Sequence, residues 1–147
     1  GEGQSAGGLK FGSGELAEAR FPLDFDKHEF RRDSAGDGQF RGGAGVDLEL
    51  TVETEKPALA NTAGDGIKYG SRGMVGGEDS KPHAYSLLKL DGTERKLKTK
   101  EISVDVDPGD KFIIRSAGGG GWGNPANRSS EARALDYKNE ITSGDKA

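Results

Sequence analysis

The chain contains no cysteine, which excludes disulfide bonds, thiolate metal ligands and a cysteine nucleophile. It has no apolar run near the ~18 residues of a membrane span and no N-terminal signal pattern. Basic residues are not in excess, because the formal net charge is −4, so the electrostatic footprint of a nucleic-acid-binding protein is missing. These absences predict a cytoplasmic protein without a nucleic-acid or membrane partner.

The glycine-rich stretches lack a complete nucleotide-binding motif. A P-loop needs a Gly-Lys pair, and none occurs in the chain. The sequences at 36–38 and 64–66 begin like a dinucleotide fingerprint, but the next glycine comes one residue too late. Each also contains an aspartate, which would repel a pyrophosphate. We therefore expect this chain to bind no nucleotide cofactor by itself.

Acid–base residues are numerous but form no convincing constellation. Two histidines are too few to support a Ser-His-Asp arrangement. Asp26 and His28 share one face of a predicted strand, yet a zinc site needs three or four ligands. A solvated strand face is the simpler interpretation, and we predict no catalytic residue and no metal site.

Glycine is present in excess, at 25 of 147 residues, where ~7% is usual. Phe, Leu, Ile and Val together make up about 18% of the chain. A share below ~20% indicates disorder only in a chain of high net charge, and the net charge here is low. Because the apolar residues occur in strand-like runs, we expect a folded chain with a thin core. Either a partner protein completes that core, or the chain is a small independent domain with floppy loops.

Alternating apolar residues predict β-strands at 21–25 and 46–53. Two hairpins are also predicted. The first spans 84–98, with its turn at Asp91-Gly92. The second spans 102–115, with Ile102, Val104 and Val106 on one face and a type II turn at 107–110.

One segment near the C-terminus predicts a helix. Ser129 or Ser130 can cap it, and Glu131 lies in its first turn. The expected buried stripe consists of Ala134, Tyr137 and Ile141, and the helix is expected to end at Gly144. The predicted fold class is mostly β, with two antiparallel sheets in a barrel- or sandwich-like arrangement, extended glycine-rich segments like polyproline II, and one C-terminal helix. We expect one domain over 1–147, including a glycine-rich segment at 1–14 and a helix and tail at 128–147.

Residues 116–125, SAGGGGWGNP, hold four consecutive glycines and the only tryptophan of the chain. A phosphate loop, a mobile linker and a tightly packed segment are the alternatives, and we favour packing. Trp122 would then anchor the segment, and Asn124-Pro125 would turn it toward the helix. The stretch at 64–77, which starts with Gly64 and Gly66, is the best candidate for similar side-by-side packing.

Two stretches resemble the hydantoinase B family, where they lie toward the C-terminal end of much longer chains. In residues 18–53 the matching positions are Glu18, Arg20, Pro22, Arg32, Asp33, Ser34, Gly36, Gly38, Arg41, Gly42, Gly43 and Gly45. In residues 106–143 they are Pro108, Gly109, Asp110, Gly118, Gly119, Gly120, Gly121, Trp122, Gly123, Pro125 and Arg128.

The resemblance implies membership of ATP-dependent, multi-subunit enzymes, which include hydantoinase B, 5-oxoprolinase, and acetone and acetophenone carboxylases. It implies an obligate hetero-oligomer with larger hydantoinase B-type chains and with hydantoinase A-type chains of actin-like ATPase fold. ATP and a divalent metal are then expected on those partners. Family chemistry phosphorylates a carbonyl or amide oxygen before hydrolysis or carboxylation.

Because the segment stands alone here, we expect a small, non-catalytic structural subunit of acetophenone carboxylase type. The alternative is the C-terminal part of a hydantoinase or 5-oxoprolinase, which hydrolyse cyclic amides. Arg32, Arg41 and Arg128 lie beside glycine loops and could contact an anionic intermediate. The favoured alternative is that they tie these loops to carbonyl groups or acidic side chains.

Overall fold

The structure, a computed structural model, describes residues 13–144. Its strands are β1 Leu23–Arg31, β2 Gly45–Val52, β3 Ala58–Ala63, β4 Ala84–Leu88, β5 Glu94–Leu97, β6 Lys100–Val106 and β7 Lys111–Arg115. Its helices are α1 Gly14–Glu18, a 3-10 turn at Pro125–Asn127, and α2 Ser130–Lys138. Most of the N-terminal segment predicted at 1–14, and the last residues of the predicted tail, lie outside the described residues.

Two antiparallel sheets confirm the predicted fold class. Five strands form one sheet in the order β1-β2-β7-β4-β5, and β3 pairs with β6 in the other. In the part of the chain that the structure describes, the larger sheet is open, with β1 and β5 at its edges. The arrangement is therefore sandwich-like, without a closed barrel.

The buried core is small and lies between the two sheets. Its buried hydrophobic residues are Val52, Leu87, Leu97, Val104 and Val106, which come from β2, β4, β5 and β6. Thirteen large hydrophobic side chains among the described residues are exposed. The core is thin, as the composition predicted.

The turn at 107–110 is confirmed, but the hairpin predicted around it is wrong. Gly109 has φ +85° and the Asp110 N–H donates to the Asp107 carbonyl oxygen at 3.1 Å, as a type II turn requires. The flanking strands do not pair, because β6 joins β3 while β7 lies between β2 and β4. The turn thus carries the chain from one sheet to the other.

Lys89 and Asp110 hold this turn in place. The Asp110 side chain is 1% exposed and accepts hydrogen bonds from the Lys89 ammonium at 2.7 Å and the Asp107 N–H at 2.8 Å. The hydrogen bond to Asp110 is the main reason that the pKa of Lys89 lies above its usual value. The PGD motif therefore contributes a buried carboxylate that fixes the crossing between sheets.

A strand irregularity overturns the predicted face of β6. Val104 and Val106 are each 1% exposed, whereas Ile102 is 79% exposed. Ser103 has φ +55°, and the β3–β6 register shifts between Ala60 and Thr62. A bulge of this kind moves the preceding side chain to the opposite face of the strand.

The other predicted hairpin and β2 are confirmed. Strands β4 and β5 pair as expected, and Gly92 at the turn has φ +85°, which a glycine tolerates. Strand β2 covers the predicted strand to within a residue at each end. The strand predicted at 21–25 began too early, because Phe21 precedes β1 and is exposed.

Helix α2 begins as predicted but ends earlier and faces differently. The Ser129 hydroxyl caps it by accepting the Ala132 N–H at 3.2 Å, and Lys138 rather than Gly144 is its last residue. The predicted apolar stripe is wrong, because Tyr137 is exposed and the buried residue is Asp136.

The sequence did not predict α1. In residues 13–144 no helix combines the length and apolarity that a membrane crossing needs.

Candidate functional site

Three glycine-rich segments, 34–43, 70–80 and 117–123, pack side by side, and we call them the glycine platform. The third segment lies in the middle. Gly36 and Met74 donate their N–H groups to the carbonyl oxygens of Gly119 and Gly121, each at 2.9 Å. Gly121 in turn donates to the Glu78 carbonyl oxygen at 2.9 Å. The platform is thus bound by backbone hydrogen bonds although it contains no regular strand; its predicted polyproline II geometry stays a prediction.

The platform glycines are needed because neighbouring backbones leave no room for a side chain. A Cβ added at Gly42 would lie 1.9 Å from the Gly119 carbonyl oxygen, and one at Gly120 would lie 2.1 Å from that of Arg72. Gly43 differs, since a Cβ there would meet no atom within 4 Å. Further crowded positions, each with a Cβ closer than 3.0 Å to a backbone atom, are Gly36, Gly38, Gly45, Gly70, Gly73, Gly77, Gly118 and Gly121.

The remaining predicted glycines serve other local needs. A Cβ at Gly64 would lie 2.5 Å from the Tyr85 hydroxyl. Gly66 and Gly123 have φ of +81° and +76°, which favours glycine whatever the space. The Asn124 side chain accepts the Ala126 N–H at 2.9 Å and caps the 3-10 turn that begins at Pro125.

Trp122 is not a buried anchor. Its side chain is 48% exposed, and its ring lies against Phe40 with the centroids 5.6 Å apart. The backbone N–H groups of Phe40 and Trp122 donate to each other's carbonyl oxygens at 2.9 Å, and Met74 bridges to Trp122 on the other side. The glycine platform therefore holds the tryptophan at the surface.

Arg41 and Arg128 converge on a carboxylate that sequence analysis missed. Asp136 binds the Arg41 guanidinium through one oxygen at 3.0 Å and that of Arg128 through the other at 2.6 Å. The Asp136, Arg41 and Arg128 side chains are 10%, 20% and 17% exposed. Burial alone would raise the pKa of Asp136, but the two arginines outweigh it and hold that pKa below its usual value.

This cluster locks helix α2 to the glycine platform. Arg128 also donates to the Gln39 carbonyl oxygen at 3.3 Å, and Arg133 donates to that of Pro125 at 2.8 Å. The adjoining cleft has a volume of about 40 Å³, much smaller than the 300–1,000 Å³ of typical ligand sites. Among the described residues, the Nε atoms of Arg41 and Arg128 are buried without a hydrogen-bond partner.

Arg32 does not join the cluster. It pairs with the Glu140 carboxylate at 2.8 Å, and its side chain is 48% exposed. Its Nε donates to the Glu140 carbonyl oxygen at 3.1 Å. The structure therefore brings together two of the three candidate arginines, and the third ties the end of α2 to β1.

His83 borders a second, open cavity of about 450 Å³ beside the platform. Its ring lies 4.3 Å from that of Tyr85, and its Nε2 atom is buried with no hydrogen-bond partner among the described residues. Burial and, secondarily, the charge of Arg31 lower the pKa of His83. The imidazole is therefore neutral at physiological pH.

The described residues do not offer a metal ion a set of ligands. Within 13–144 no three His, Asp or Glu side chains are grouped so that they could hold a metal ion. Asp26, one of the two residues considered for zinc, instead accepts the Thr51 hydroxyl at 2.5 Å and pairs with Lys111 at 3.1 Å.

Comparison with known proteins identifies relatives over nearly the whole chain. The family model for hydantoinase B/oxoprolinase matches residues 4–125. The beta subunit of caprolactamase from Pseudomonas jessenii is 32% identical over an alignment of 146 residues that covers 96% of this chain and 25% of that protein. The 5-oxoprolinase PfmaA of Pestalotiopsis fici is 32% identical over an alignment of 135 residues that covers 89% of this chain and 10% of that protein.

Solved structures agree with these sequence matches. The crystal structure of ATP-dependent caprolactamase from Pseudomonas jessenii matches with a TM-score of 0.74 and 27% identity, over 90% of this chain and 23% of that one. The nucleotide-free acetone carboxylase has a TM-score of 0.73 at 19% identity, over 91% of this chain and 22% of that one, a likeness of fold alone. The chain spans a quarter or less of the length of these relatives. The family resemblance in the sequence is confirmed, and the chain belongs to the hydantoinase B/oxoprolinase family.

Proposed function

We propose that this chain is a non-catalytic structural part of a multi-subunit, ATP-dependent enzyme of hydantoinase B type. The observation that carries the proposal is the bonding of Arg41 and Arg128. Both are family-motif arginines suited to an anionic intermediate, yet both are bound to Asp136 within the fold. The motif glycines are likewise occupied in close backbone contacts. These residues support a framework role better than a catalytic one.

The proposed assembly is an obligate hetero-oligomer. A hydantoinase A-type subunit with an actin-like ATPase fold would supply ATP binding and a divalent metal. The described residues of this chain contain no group of side chains that could hold such a metal ion. The rest of the hydantoinase B-type fold, which makes up about three quarters of the caprolactamase beta subunit, would complete the thin core. We place the complex in the cytoplasm, the compartment that supplies ATP.

Two reactions are candidates for the complex. The first is the acetophenone carboxylase type expected in the sequence analysis, in which a ketone and bicarbonate give a 3-oxo acid with ATP hydrolysis. Hydrolysis of a cyclic amide is the second candidate. It is favoured because the curated relatives include the beta chain of a caprolactamase, 5-oxoprolinases and the B-type chain of a putative D-/L-hydantoinase.

Purification of the complex from the native source, through a tag on this chain, tests the proposal. Mass spectrometry should identify hydantoinase A-type and B-type sequences in the complex. ATP hydrolysis by the complex should then rise with acetophenone plus bicarbonate, or with lactams and hydantoins, which decides between the two reactions. Recovery of the chain as a stable monomer without either sequence type would refute the proposal.

A further inference from the structure

Three large apolar side chains form a continuous row on the surface of the glycine platform. Phe40 and Trp122 are a hydrogen-bonded antiparallel pair, and Met74 bridges to Trp122 in parallel. Directly paired residues in such ladders project to the same side. Phe40, Trp122 and Met74 are 61%, 48% and 58% exposed, and we call them the apolar row.

Within residues 13–144, the side of the ladder opposite the row is filled with backbone. On the other side of the ladder the neighbouring positions are glycines whose backbones are in contact. A Cβ at Gly121 would lie 2.0 Å from the Asp37 carbonyl oxygen, and one at Gly77 would lie 2.3 Å from that of Gly121. The platform therefore fixes three apolar side chains outward on a rigid backbone.

The turn that follows Met74 extends this surface at a conformational cost. Val75 and Gly76 have φ of +54° and +88°, and the Gly77 N–H donates to the Met74 carbonyl oxygen at 2.9 Å. The pattern is that of a type I′ turn, in which a β-branched residue at positive φ is an outlier. Val75 is 67% exposed, so packing within the described residues does not offset its strain. Strain of this kind is typically retained at functional surfaces.

We propose that the apolar row and Val75 form the docking surface for the remaining hydantoinase B-type portion of the enzyme. This inference rests on the proposed function and deepens it by naming the surface and its occupant. The caprolactamase beta subunit is four times as long as its match to this chain, so most of the family fold lies outside that match. Adjacent apolar side chains held outward on a rigid backbone suit the core of a stable interface.

A second copy of the chain is the less suitable occupant. A symmetric dimer would cover the row, but it would leave the greater part of the family fold absent from both copies. The row also contains aromatic and methionine side chains, which interface cores favour, without a charged residue among them. These features favour an apolar protein surface as the partner.

Photo-cross-linking within the native complex tests the location of the surface. p-Benzoylphenylalanine at position 40 should cross-link to the hydantoinase B-type sequence outside the match. The same amino acid at position 102 is the matched control, since Ile102 is 79% exposed on the two-stranded sheet. It should give at least tenfold less of that product. Equal cross-linking from both positions, or none from position 40, would overturn the inference.

Substitution tests the energetic role of the same side chains. The double variant Phe40→Ser/Met74→Ser should lower recovery of the B-type sequence with the tagged chain by more than tenfold, at unchanged circular dichroism. The control Leu59→Ser/Ile102→Ser removes two equally exposed apolar side chains from β3 and β6 and should leave recovery within twofold of wild type. Wild-type recovery with the first variant would overturn the docking surface while the proposed function stands.

Two further results have defined meanings. If the unsubstituted chain recovers no B-type sequence, both the proposed function and the docking surface are refuted. If sedimentation of the purified chain shows a dimer that Phe40→Ser/Met74→Ser abolishes, the row is an interface between copies and the proposed occupant is wrong.

Discussion

A single methyl group at Gly120 should destabilise the fold strongly. The added Cβ of Gly120→Ala would lie 2.1 Å from the Arg72 carbonyl oxygen and 2.5 Å from its carbon. Ordinary contacts need more than 3.4 Å, so two hydrogen-bonded backbones must separate by about 1 Å. Overpacking costs about 1–3 kcal/mol, and we expect the upper end because no flexible side chain can move aside. For a chain of this length, ~3 kcal/mol lowers the melting temperature by roughly 10 °C. Gly120→Val adds a larger side chain at the same crowded position and should lower the melting temperature further.

Gly43→Ala is the matched control for this prediction. It lies in the same platform, but its added Cβ meets no atom within 4 Å, and its φ is not in the left-handed region. Because alanine has less conformational freedom than glycine in the unfolded chain, the substitution should be neutral or should raise the free energy of unfolding by up to ~0.5 kcal/mol. Differential scanning fluorimetry of the protein as purified compares the two variants. Similar melting temperatures for Gly120→Ala and Gly43→Ala would refute crowding and restore the interpretation of the segment as a mobile linker.

Three further predictions follow from the polar contacts. Asp136→Asn leaves two guanidinium groups poorly compensated and should lower the free energy of unfolding by roughly 2–4 kcal/mol, below the full range for buried pairs because some exposure remains. Urea unfolding measures this loss, and an unchanged midpoint would contradict the role of Asp136 in fixing helix α2 to the glycine platform. Asp110→Asn weakens the hydrogen bond from Lys89 and should lower the free energy of unfolding by about 1.5–3 kcal/mol. Calorimetry that shows no loss of stability would contradict the role of Asp110 in fixing the turn between the two sheets. The lowered pKa of His83 means that the folded state binds fewer protons than the unfolded state. Its contribution to stability is therefore complete above pH ~6.5 and is lost as pH falls below that value. His83→Gln should reduce the drop in melting temperature between pH 7.5 and 5.5, and an identical pH profile would contradict this assignment.

Local features of the fold could be predicted from the sequence because they depend on neighbouring residues. Period-two alternation identified β2, and Gly92 and Gly109 marked turns that need positive φ. Strand pairing could not be predicted in the same way. Alternation shows which side chains face a core, but it does not say which sheet supplies that core. The strands on either side of the turn at 107–110 therefore looked like a hairpin, although they belong to different sheets.

Only part of the candidate site could be predicted from the sequence. Glycine excess predicted close packing, and the backbone distances around Gly42 and Gly120 explain the excess in physical terms. The sequence predicts that Trp122 anchors its segment, and its ring does contact Phe40, but the residue is 48% exposed. The structure instead fills the crowded side of its segment with backbone and leaves the ring on the other side. The periodicity of apolar residues gives no signal for Asp136, because this helix buries an acid opposite two arginines.

The turnover of assembled complexes containing arginine variants tests the framework role most directly. Arg41→Ala and Arg128→Ala should lower the yield of intact complex, because each breaks the contact that fixes α2 to the platform. The complex that does assemble should hydrolyse ATP with substrate at the wild-type rate per assembled enzyme. Full assembly with turnover reduced a hundredfold or more would contradict the account and place these arginines in the active site.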